Sequence, residues 1–380
     1  MNWREFKGLS KEEQQDYIDK TWESSPVNGA ILGRHFGVST PTAVRLLKNR
    51  ELTIHPHVSK PIEIDAGILK AIHRVVAERT SANGNLLPSI ELKHLFVQSG
   101  VGEYNNDTMQ YVFRLTRDAE EEAGVDLCQF DSTRLDMVFN GCFGVSVINN
   151  HYALAILRRY VEFCRMAGIN VSNAIQNYTP NLTNKIQNQM VASPHHLAVR
   201  LDKALDPIST QSVDCLYRGL MWLAYAGIAQ VDAAMVTESN ICLKKLYVVT
   251  GDRKYPLYQE GAPLFNTLLG CSKLSMTNAF GSYWRDRVDG DLLLRGVINK
   301  SINIKSMLHS MSTKTRRKNV YLSYNMIKKS GQFYRIYETE RAGYKLDFAS
   351  MVAERIASGY TKPDVYQIKN DYEAWKRAFG

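Results

Sequence analysis

The chain has 380 residues, of which 44 % are hydrophobic and 22 % are charged, as in an ordinary soluble globular protein. It contains no run of about 18 apolar residues, so no membrane span is expected, and its polar N-terminus does not resemble a signal peptide. The six cysteines lie far apart without a CxxC pair, which predicts free thiols in a reducing cytoplasm.

The net charge is +9, and it is concentrated in the C-terminal half. Residues 191–380 carry 27 basic and 17 acidic side chains. The stretch Leu292–Tyr337 contains ten lysines and arginines and no carboxylate. Such a stretch favours a polyanionic partner, most often nucleic acid, over a basic surface without a partner.

The first predicted elements are two short helices around a tight turn in residues 28–51. Gly37 suits the turn, and the apolar spacing resembles a helix-turn-helix, in which the second helix reads the major groove. A plain helical hairpin is the alternative. The side chains predicted to face outward from the second helix are Thr40, Thr42, Arg45, Lys48 and Arg50. No cysteine or carboxylate cluster accompanies His55 and His57, so no metal site is expected there.

A helical block follows, with apolar periodicity that predicts helices near 65–79, 88–98, 107–123, 131–140 and 150–167. Arg158 and Arg159 lie at the margin of the apolar face of the last helix. Residues 170–193 contain nine asparagines and glutamines, which is typical of a polar linker.

The last block begins with a helix over 213–228 that is apolar almost all round and is therefore expected to be buried. Residues 246–258 predict two strands joined by a Gly-Asp turn. Further helices are predicted near 262–270, 297–311, 320–330 and 346–357. The predicted fold class is mostly α with a small antiparallel β-sheet (α+β).

The order of these pieces over residues 85–375 resembles the tyrosine recombinase, or phage integrase, family. The resemblance implies a helical core-binding (SAM-like) domain and a mixed α/β catalytic domain, which together close round duplex DNA. The domains expected on this basis are a helix-turn-helix-like unit at 1–60, the core-binding domain at 61–170, a linker at 171–194 and the catalytic-like domain at 195–380.

The family's catalytic positions fall on other residue types in this sequence. The first arginine of the family falls at Ala229, and the lysine of the β-turn falls at Lys254 or Arg253. The histidine and arginine of a later helix fall at Asn325 and Lys328. A further histidine or tryptophan falls at Tyr360, and the nearest tyrosines to the nucleophile position, Tyr366 and Tyr372, are off spacing. The resulting hypothesis is a recombinase fold that has lost catalysis, and therefore a protein that is not an enzyme.

The predicted function is a sequence-specific regulator that binds double-stranded DNA, a repressor of a temperate phage or mobile element. An active but atypical recombinase using Tyr366 or Tyr372 is one alternative, and an accessory recombination factor is another. Self-association or a small phage-encoded anti-repressor is a further partner hypothesis. No cofactor or metal is expected, and the expected location is the bacterial nucleoid in the cytoplasm. The residues predicted to contact DNA outside the first unit are Arg158, Arg159, Arg253, Lys254, Lys314, Arg316, Arg317, Lys318, Lys328 and Lys329.

Overall fold

The computed structural model describes residues 1–22, 29–50, 52, 62–101, 104–278, 280–298, 303–357 and 364–380. The chain forms two compact units, Met1–Gly67 and Ile68–Gly380. Within the described ranges, no helix is long and apolar enough to cross a lipid bilayer.

The first unit is helical, and it contains α1 (Trp3–Gly8), α2 (Lys11–Trp22), α3 (Gly29–Phe36) and α4 (Thr40–Asn49). Its core is formed by Phe6, Ile18, Leu32, Ala43 and Leu47. Gly37 lies between α3 and α4 with φ +66°, a conformation that glycine adopts without strain. The two helices predicted around this turn are therefore present, whereas α1 and α2 were not anticipated.

The second unit contains fifteen labelled helices and five strands in the described ranges. The helices before the first strand are α5 (Ala66–Arg79), α6 (Ile90–Gln98), α7 (Asn106–Ala123), α8 (Ser132–Gly141), α9 (Val147–Met166), α10 (Ala174–Asn177), α11 (Thr183–Gln189), α12 (Pro194–Ala204), α13 (Asp214–Ala226) and α14 (Gln230–Met235). The remaining elements are β1 (Ile241–Cys242), β2 (Tyr247–Thr250), β3 (Arg253–Pro256), α15 (Ala262–Gly270), β4 (Lys273–Asn278), β5 (Gly281–Asp286), α16 (Ile304–Arg317), α17 (Tyr324–Arg341), α18 (Phe348–Ala357) and α19 (Val365–Phe379).

The helical block from α5 to α9 follows the predicted periodicity, and each helix lies within a few residues of its expected bounds. Phe96 packs edge-on against Tyr160 and Phe163 with ring centroids 5.5 and 5.4 Å apart. Lys93 is buried in the same core between two carboxylates, 2.6 Å from Glu120 and 2.9 Å from Asp126. Burial of an unpaired charge would be costly, so the two carboxylates compensate the charge of Lys93, and the role of this lysine is structural.

The predicted linker 171–194 contains two short helices, α10 and α11, and several of its apolar side chains are buried. Ile186 of α11 belongs to a core cluster together with Ile368 and Trp375 of α19. The indole nitrogen of Trp375 donates to the carbonyl of Val191 at 3.2 Å. The segment thus packs against the C-terminal helix, and its role as a domain boundary stays a prediction.

The strands form two separate antiparallel sheets. The first has the order β1-β2-β3, with Val249 opposite Lys254, and it confirms the strand pair predicted over 246–258. The second is the hairpin β4–β5, with Ser275 opposite Trp284, which was not predicted. The predominance of helices and the small antiparallel sheets confirm the predicted α+β fold class.

The buried helix predicted at 213–228 is α13, and it packs against α17 at the centre of the larger core. The two helices approach very closely at Gly331, where a Cβ would overlap the carbonyl oxygen of Tyr225. Only a residue without a side chain fits this contact, which fixes the middle of α17 relative to the end of α13.

Candidate nucleic-acid interface

The end of α13 and the start of α17 meet at a hydrogen bond. The Tyr324 hydroxyl donates to the carbonyl oxygen of Ile228 at 2.9 Å. Gly227 ends α13 with φ +110°, and Ala229 then caps the start of α14. Asn325 lies in the first turn of α17. The fold therefore brings together the two regions that the sequence resemblance singled out, around Ala229 and around Asn325.

A cavity of about 570 Å³ lies beside this junction. Its polar lining residues carry amides, hydroxyls and one guanidinium: Asn188, Gln230, Ser312, Thr315, Arg316, Asn319, Tyr321, Ser323, Tyr324 and Asn325. All its lining residues belong to the described ranges, and none of them is acidic. Amide, hydroxyl and guanidinium groups donate hydrogen bonds that phosphate oxygens can accept. A neighbouring carboxylate would instead repel the negatively charged phosphate. The cavity is therefore suited to a phosphate group.

The exposed cations nearest this cavity lie at the C-terminal end of α16. Arg316 lines the cavity, and Arg317 and Lys318 follow it on the exposed surface. Within the described part of the chain, none of these three side chains forms an ion pair. Met311 and Thr315 are buried and hold the other side of the helix in the core. These three residues, called the α16 cluster below, are predicted DNA contacts that are accessible together.

Lys314 lies two residues before the α16 cluster and pairs with acids from another part of the chain. Its ammonium contacts the carboxylates of Asp206 and Asp214, of which the second is buried. Burial lowers the pKa of Lys314, but the hydrogen bonds and charges of these carboxylates outweigh it, and the pKa is raised. The lysine thus ties α16 to the start of α13.

The two lysines predicted on α17 are buried. Lys328 is 5 % exposed. Lys329 lies 2.6 Å from the buried carboxylate of Asp371 on α19. These observations argue against a role for either lysine at the protein surface, because the pairing that makes the burial of Lys329 tolerable also holds it inside.

The turn of the first sheet presents two cations. Arg253 and Lys254 at the start of β3 are both exposed. The Lys254 ammonium lies 5.2 Å from the ring centroid of Tyr247 on the paired strand. Tyr255 of the same strand approaches Gly227, so this sheet lies beside the end of α13. The position is compatible with the predicted contact to DNA.

Arg158 and Arg159 on α9 bind backbone carbonyls. Arg158 donates to the carbonyls of Ile175 and Tyr178 at 3.1 and 2.8 Å. Arg159 donates to the carbonyl of Val101 at 2.8 Å. Both guanidinium groups therefore serve to hold neighbouring segments of the helical block, which sequence reasoning did not foresee.

In the first unit, the predicted recognition helix is α4. Thr42 and Arg45 are exposed, as expected for its outward face, and Arg50 is exposed immediately after the helix. The Ser39 and Thr42 hydroxyls lie 2.8 Å apart at the start of the helix. The side chains of Thr40 and Lys48 lie outside the described set. The helices are present, and their DNA-binding role stays a prediction.

The candidate tyrosines differ in accessibility. Tyr366 on α19 is 67 % exposed, whereas Tyr372 on the same helix is fully buried and donates to the Glu340 carboxylate. Burial and this hydrogen bond raise the pKa of Tyr372, which disfavours its use as a nucleophile. Tyr360 lies outside the described residues. Of the two candidate nucleophiles, Tyr366 is the accessible one.

Sequence reasoning missed two features of this region. Asn188, Gln230 and Ser323 line the cavity, and the position of Gln230 immediately after Ala229 was the available signal. The hairpin β4–β5 was also missed, although Gly281 indicates a turn. Groups of histidine, cysteine, aspartate and glutamate suited to a metal do not occur within the described residues.

The chain matches no protein-family model and no curated protein. Among solved structures, it is similar to one described as XerA recombinase, with a TM-score of 0.34 and 13 % identity over 76 % of this chain and 96 % of that chain. It is also similar to an integrase from mycobacterium phage Brujita, with a TM-score of 0.29 and 11 % identity over 76 % of this chain and 91 % of that chain. TM-scores below 0.5 do not assign a function to the chain.

The expectation that the chain is not an enzyme is corrected by this comparison. Both similar structures are of enzymes, a recombinase and an integrase. The residue types found at positions Ala229, Asn325 and Lys328 do not show that catalysis is lost.

Proposed function

We propose that the chain binds duplex DNA through the α16 cluster and the adjoining cavity. The observation that carries the proposal is the exposed sequence Arg316-Arg317-Lys318 at the edge of a cavity whose lining contains donors and no carboxylate. Phosphate contacts of this kind position a protein on DNA without reading its sequence. They also make binding strongly dependent on salt, because each neutralised phosphate releases counterions.

The experiment is a titration of a labelled mixed-sequence DNA duplex by fluorescence anisotropy at several salt concentrations. The double variant Arg316→Glu/Arg317→Glu should lower affinity by at least about 100-fold, since it removes two contacts and adds repulsion. The matched control is Lys244→Glu/Lys245→Glu, which changes the net charge equally at two other exposed lysines. Equal losses of affinity in both variants would show that net charge, and not the α16 cluster in particular, determines DNA binding.

The finer proposal is a sequence-specific transcriptional regulator, a repressor in a phage or mobile element. It is supported by Thr42 and Arg45 on α4 and by Arg50 immediately after it, which are exposed and carry side chains that suit hydrogen bonding to base edges. Genome-wide crosslinking of the protein to DNA tests it. A few enriched promoter sites are expected, and uniform recovery of the genome would contradict sequence specificity.

A second candidate function is DNA strand transfer, and the exposure of Tyr366 favours it. A tyrosine hydroxyl that attacks a phosphodiester forms a covalent phosphotyrosine bond and releases a 5′-hydroxyl. Such an intermediate can be trapped on a duplex that contains a site found by the crosslinking experiment and a nick within that site. A covalent adduct that disappears in Tyr366→Phe supports this function, and duplex binding without any adduct contradicts it.

A further inference from the structure

A second cavity, of about 1170 Å³, is lined mainly by residues of α6 and α7. Its apolar and aromatic lining residues are Leu87, Pro88, Ile90, Val97, Tyr111 and Phe113. The polar lining residues include Lys93 and Glu120, which are buried. Concave sites that combine apolar surface with specific polar groups are where proteins bind small organic molecules.

Glu120 gives this cavity a buried carboxylate with one unused oxygen. The residue is 2 % exposed. Its Oε1 accepts from the ammonium of Lys93 at 2.6 Å and from the backbone N–H of Leu127 at 2.9 Å. Its Oε2 accepts no hydrogen bond from any described residue, and it is not fully shut off from solvent. A carboxylate oxygen in a buried side chain requires a donor, and the cavity is the space from which a donor can reach it.

The charge beside Glu120 favours the same kind of occupant. Lys93 also lies 2.9 Å from the carboxylate of Asp126, so one buried cation faces two carboxylates. Burial raises the pKa of Glu120 to about 7, although the charge of Lys93 opposes this shift. A group that brings an N–H donor to Oε2 would stabilise the ionised carboxylate.

Two arginines of the lining supply positive charge. Arg79 and Arg114 are exposed, and neither forms an ion pair within the described residues. The guanidinium of Arg114 lies 5.4 Å from the ring centroid of Tyr111. Guanidinium groups bind carboxylates and phosphates through paired hydrogen bonds, so this part of the cavity is suited to an anion.

The exposed acids of the lining leave these arginines available. Glu91 and Glu121 each pair with another arginine, at 2.8 and 2.7 Å. Asp107 lies at the start of α7, about two helical turns before Arg114. The cavity therefore presents an acceptor at Glu120 and cations at Arg114 and Arg79.

The spacing of these groups limits the ligand. Arg114 and Glu120 both lie on α7, and they are separated by roughly 9 Å along the helix axis. A free amino acid carries its ammonium and carboxylate on one carbon, which is too close for this separation. A nucleotide carries an amino group on its base and a phosphate beyond its sugar. Tyr111 and Phe113 line the same cavity and offer aromatic surface on which a base can stack.

We propose that this cavity binds a mononucleotide whose base donates from an exocyclic amino group to Oε2 of Glu120 and whose phosphate binds Arg114 and Arg79. The site is separate from the cavity beside α16, and the proposal does not depend on duplex binding. A helix of another protein is the less favoured occupant, because an apolar helix face brings no donor to Glu120.

The test is isothermal titration calorimetry of the full chain with adenosine 5′-monophosphate at pH 8, where Glu120 is mostly ionised. The matched ligand is purine riboside 5′-monophosphate, which lacks only the amino group. The wild type should bind the adenosine nucleotide at least about 10-fold more tightly. In Glu120→Gln, the amide oxygen can still accept from Lys93 and Leu127, so the amide nitrogen replaces Oε2 and the preference should disappear.

Arg114→Ala tests the phosphate end of the site. The Kd for adenosine 5′-monophosphate should rise by about 10-fold, whereas the affinity for adenosine should stay unchanged. The matched control is Arg341→Ala, which removes an exposed arginine of α17 that does not line the cavity. This variant should bind the nucleotide as the wild type does.

Three outcomes would overturn the proposal. The first is no binding of adenosine 5′-monophosphate to the wild type at millimolar concentration, and the second is equal affinity of the wild type for the two nucleotides. The third is binding that survives Arg114→Ala and is lost in Arg316→Glu/Arg317→Glu, which would place the nucleotide in the cavity beside α16. The comparison of the two nucleotides needs no variant, so it decides the role of Glu120 even where Glu120→Gln does not fold.

Discussion

The end of α16 and the middle of α17 belong to the same acid-free stretch of sequence, yet they use their cations differently. Arg316, Arg317 and Lys318 at the end of α16 are exposed. Lys328 and Lys329 on α17 are buried. Lys329 has its carboxylate partner 42 residues away in sequence, at Asp371. A stretch of sequence without acidic residues can therefore lie next to acidic side chains from other parts of the fold.

The same correction applies elsewhere in the stretch. Arg295 pairs with Glu238, and Lys314 pairs with Asp206 and Asp214. Each of these acids lies outside Leu292–Tyr337. The charge count of the stretch correctly indicates a basic segment, but exposure decides which cations can reach a polyanion. The four predictions below test that division, from the largest expected effect to the smallest.

Replacement of the buried lysine should affect stability most. Lys329→Met leaves the Asp371 carboxylate buried without its cation, although the backbone N–H of Val147 still donates to it at 3.0 Å. We expect the free energy of unfolding to fall by about 3–5 kcal/mol, measured by urea denaturation. Lys318→Met, which removes an exposed lysine, should change it by less than about 0.5 kcal/mol. Similar values for the two variants would contradict the division between α16 and α17.

The first unit extends the comparison to base recognition. Arg45 on α4 is exposed, and a bidentate contact from arginine to a guanine discriminates between bases. Arg45→Ala should therefore weaken binding to the preferred site by about 1–3 kcal/mol, and binding to random duplex much less. The measurement is the pair of Kd values for the two duplexes. Equal losses of affinity for the two duplexes would indicate that α4 contacts phosphates. No loss of affinity for either duplex would favour a plain helical hairpin.

A buried lysine with a different partner sharpens the comparison with Lys329. Lys185 on α11 is 4 % exposed, and its ammonium donates to the carbonyl of Phe139 at 2.8 Å. Within the described residues, no ion pair is formed by Lys185. Burial lowers its pKa to about 8, so the charged form is disfavoured in the folded state. Lys185→Met should stabilise the fold by about 1 kcal/mol at pH 7, because loss of the hydrogen bond offsets part of the gain.

The pH dependence gives the sign of the Lys185 effect. Between pH 8 and pH 10.5 the unfolded chain binds this proton more strongly than the folded chain, so the contribution of Lys185 to stability rises with pH. The advantage of Lys185→Met over wild type should therefore shrink between pH 7 and pH 10 in urea denaturation. An advantage that grows over this range would contradict a lowered pKa.

The smallest effect is expected from a single exposed arginine of the α16 cluster. Arg317→Ala removes about one phosphate contact, so Kd should rise about fivefold at physiological salt on preferred and random duplexes alike. The slope of log Kd against log salt should become flatter by about 0.9. A change confined to the preferred duplex would place Arg317 on a base instead of a phosphate.

The sequence predicted the parts of the fold that have regular apolar periodicity. The helices α5 to α9, the buried α13 and the strands β2 and β3 lie close to their expected positions. The hairpin β4–β5 was missed because β5 is exposed throughout and has no alternation of buried and exposed residues. Helix α19, whose buried face includes Ile368, Tyr372 and Trp375, was also not predicted.

The candidate site was predicted only in part. The regions around Ala229 and Asn325, which the resemblance singled out, lie close together, and the accessible cluster at Arg316 lies in the predicted basic stretch. The functions of Lys329, Arg158 and Arg159 depend on partners far away in sequence, including Asp371 and the carbonyl of Val101. Local charge patterns contain no information on such partners, so sequence reasoning assigned these cations to DNA.

The closed root of the hairpin makes it a separable module. The backbone N–H of Arg287 donates to the carbonyl of Ser272 at 2.8 Å, so the chain enters and leaves the hairpin at nearly the same point. We therefore expect an insertion or deletion between Ser272 and Arg287 to change the hairpin while the ends that join it to α15 and to Leu293 keep their places. Hairpins of other lengths and tip residues should then be tolerated on this scaffold, as insertions are at exposed loop tips.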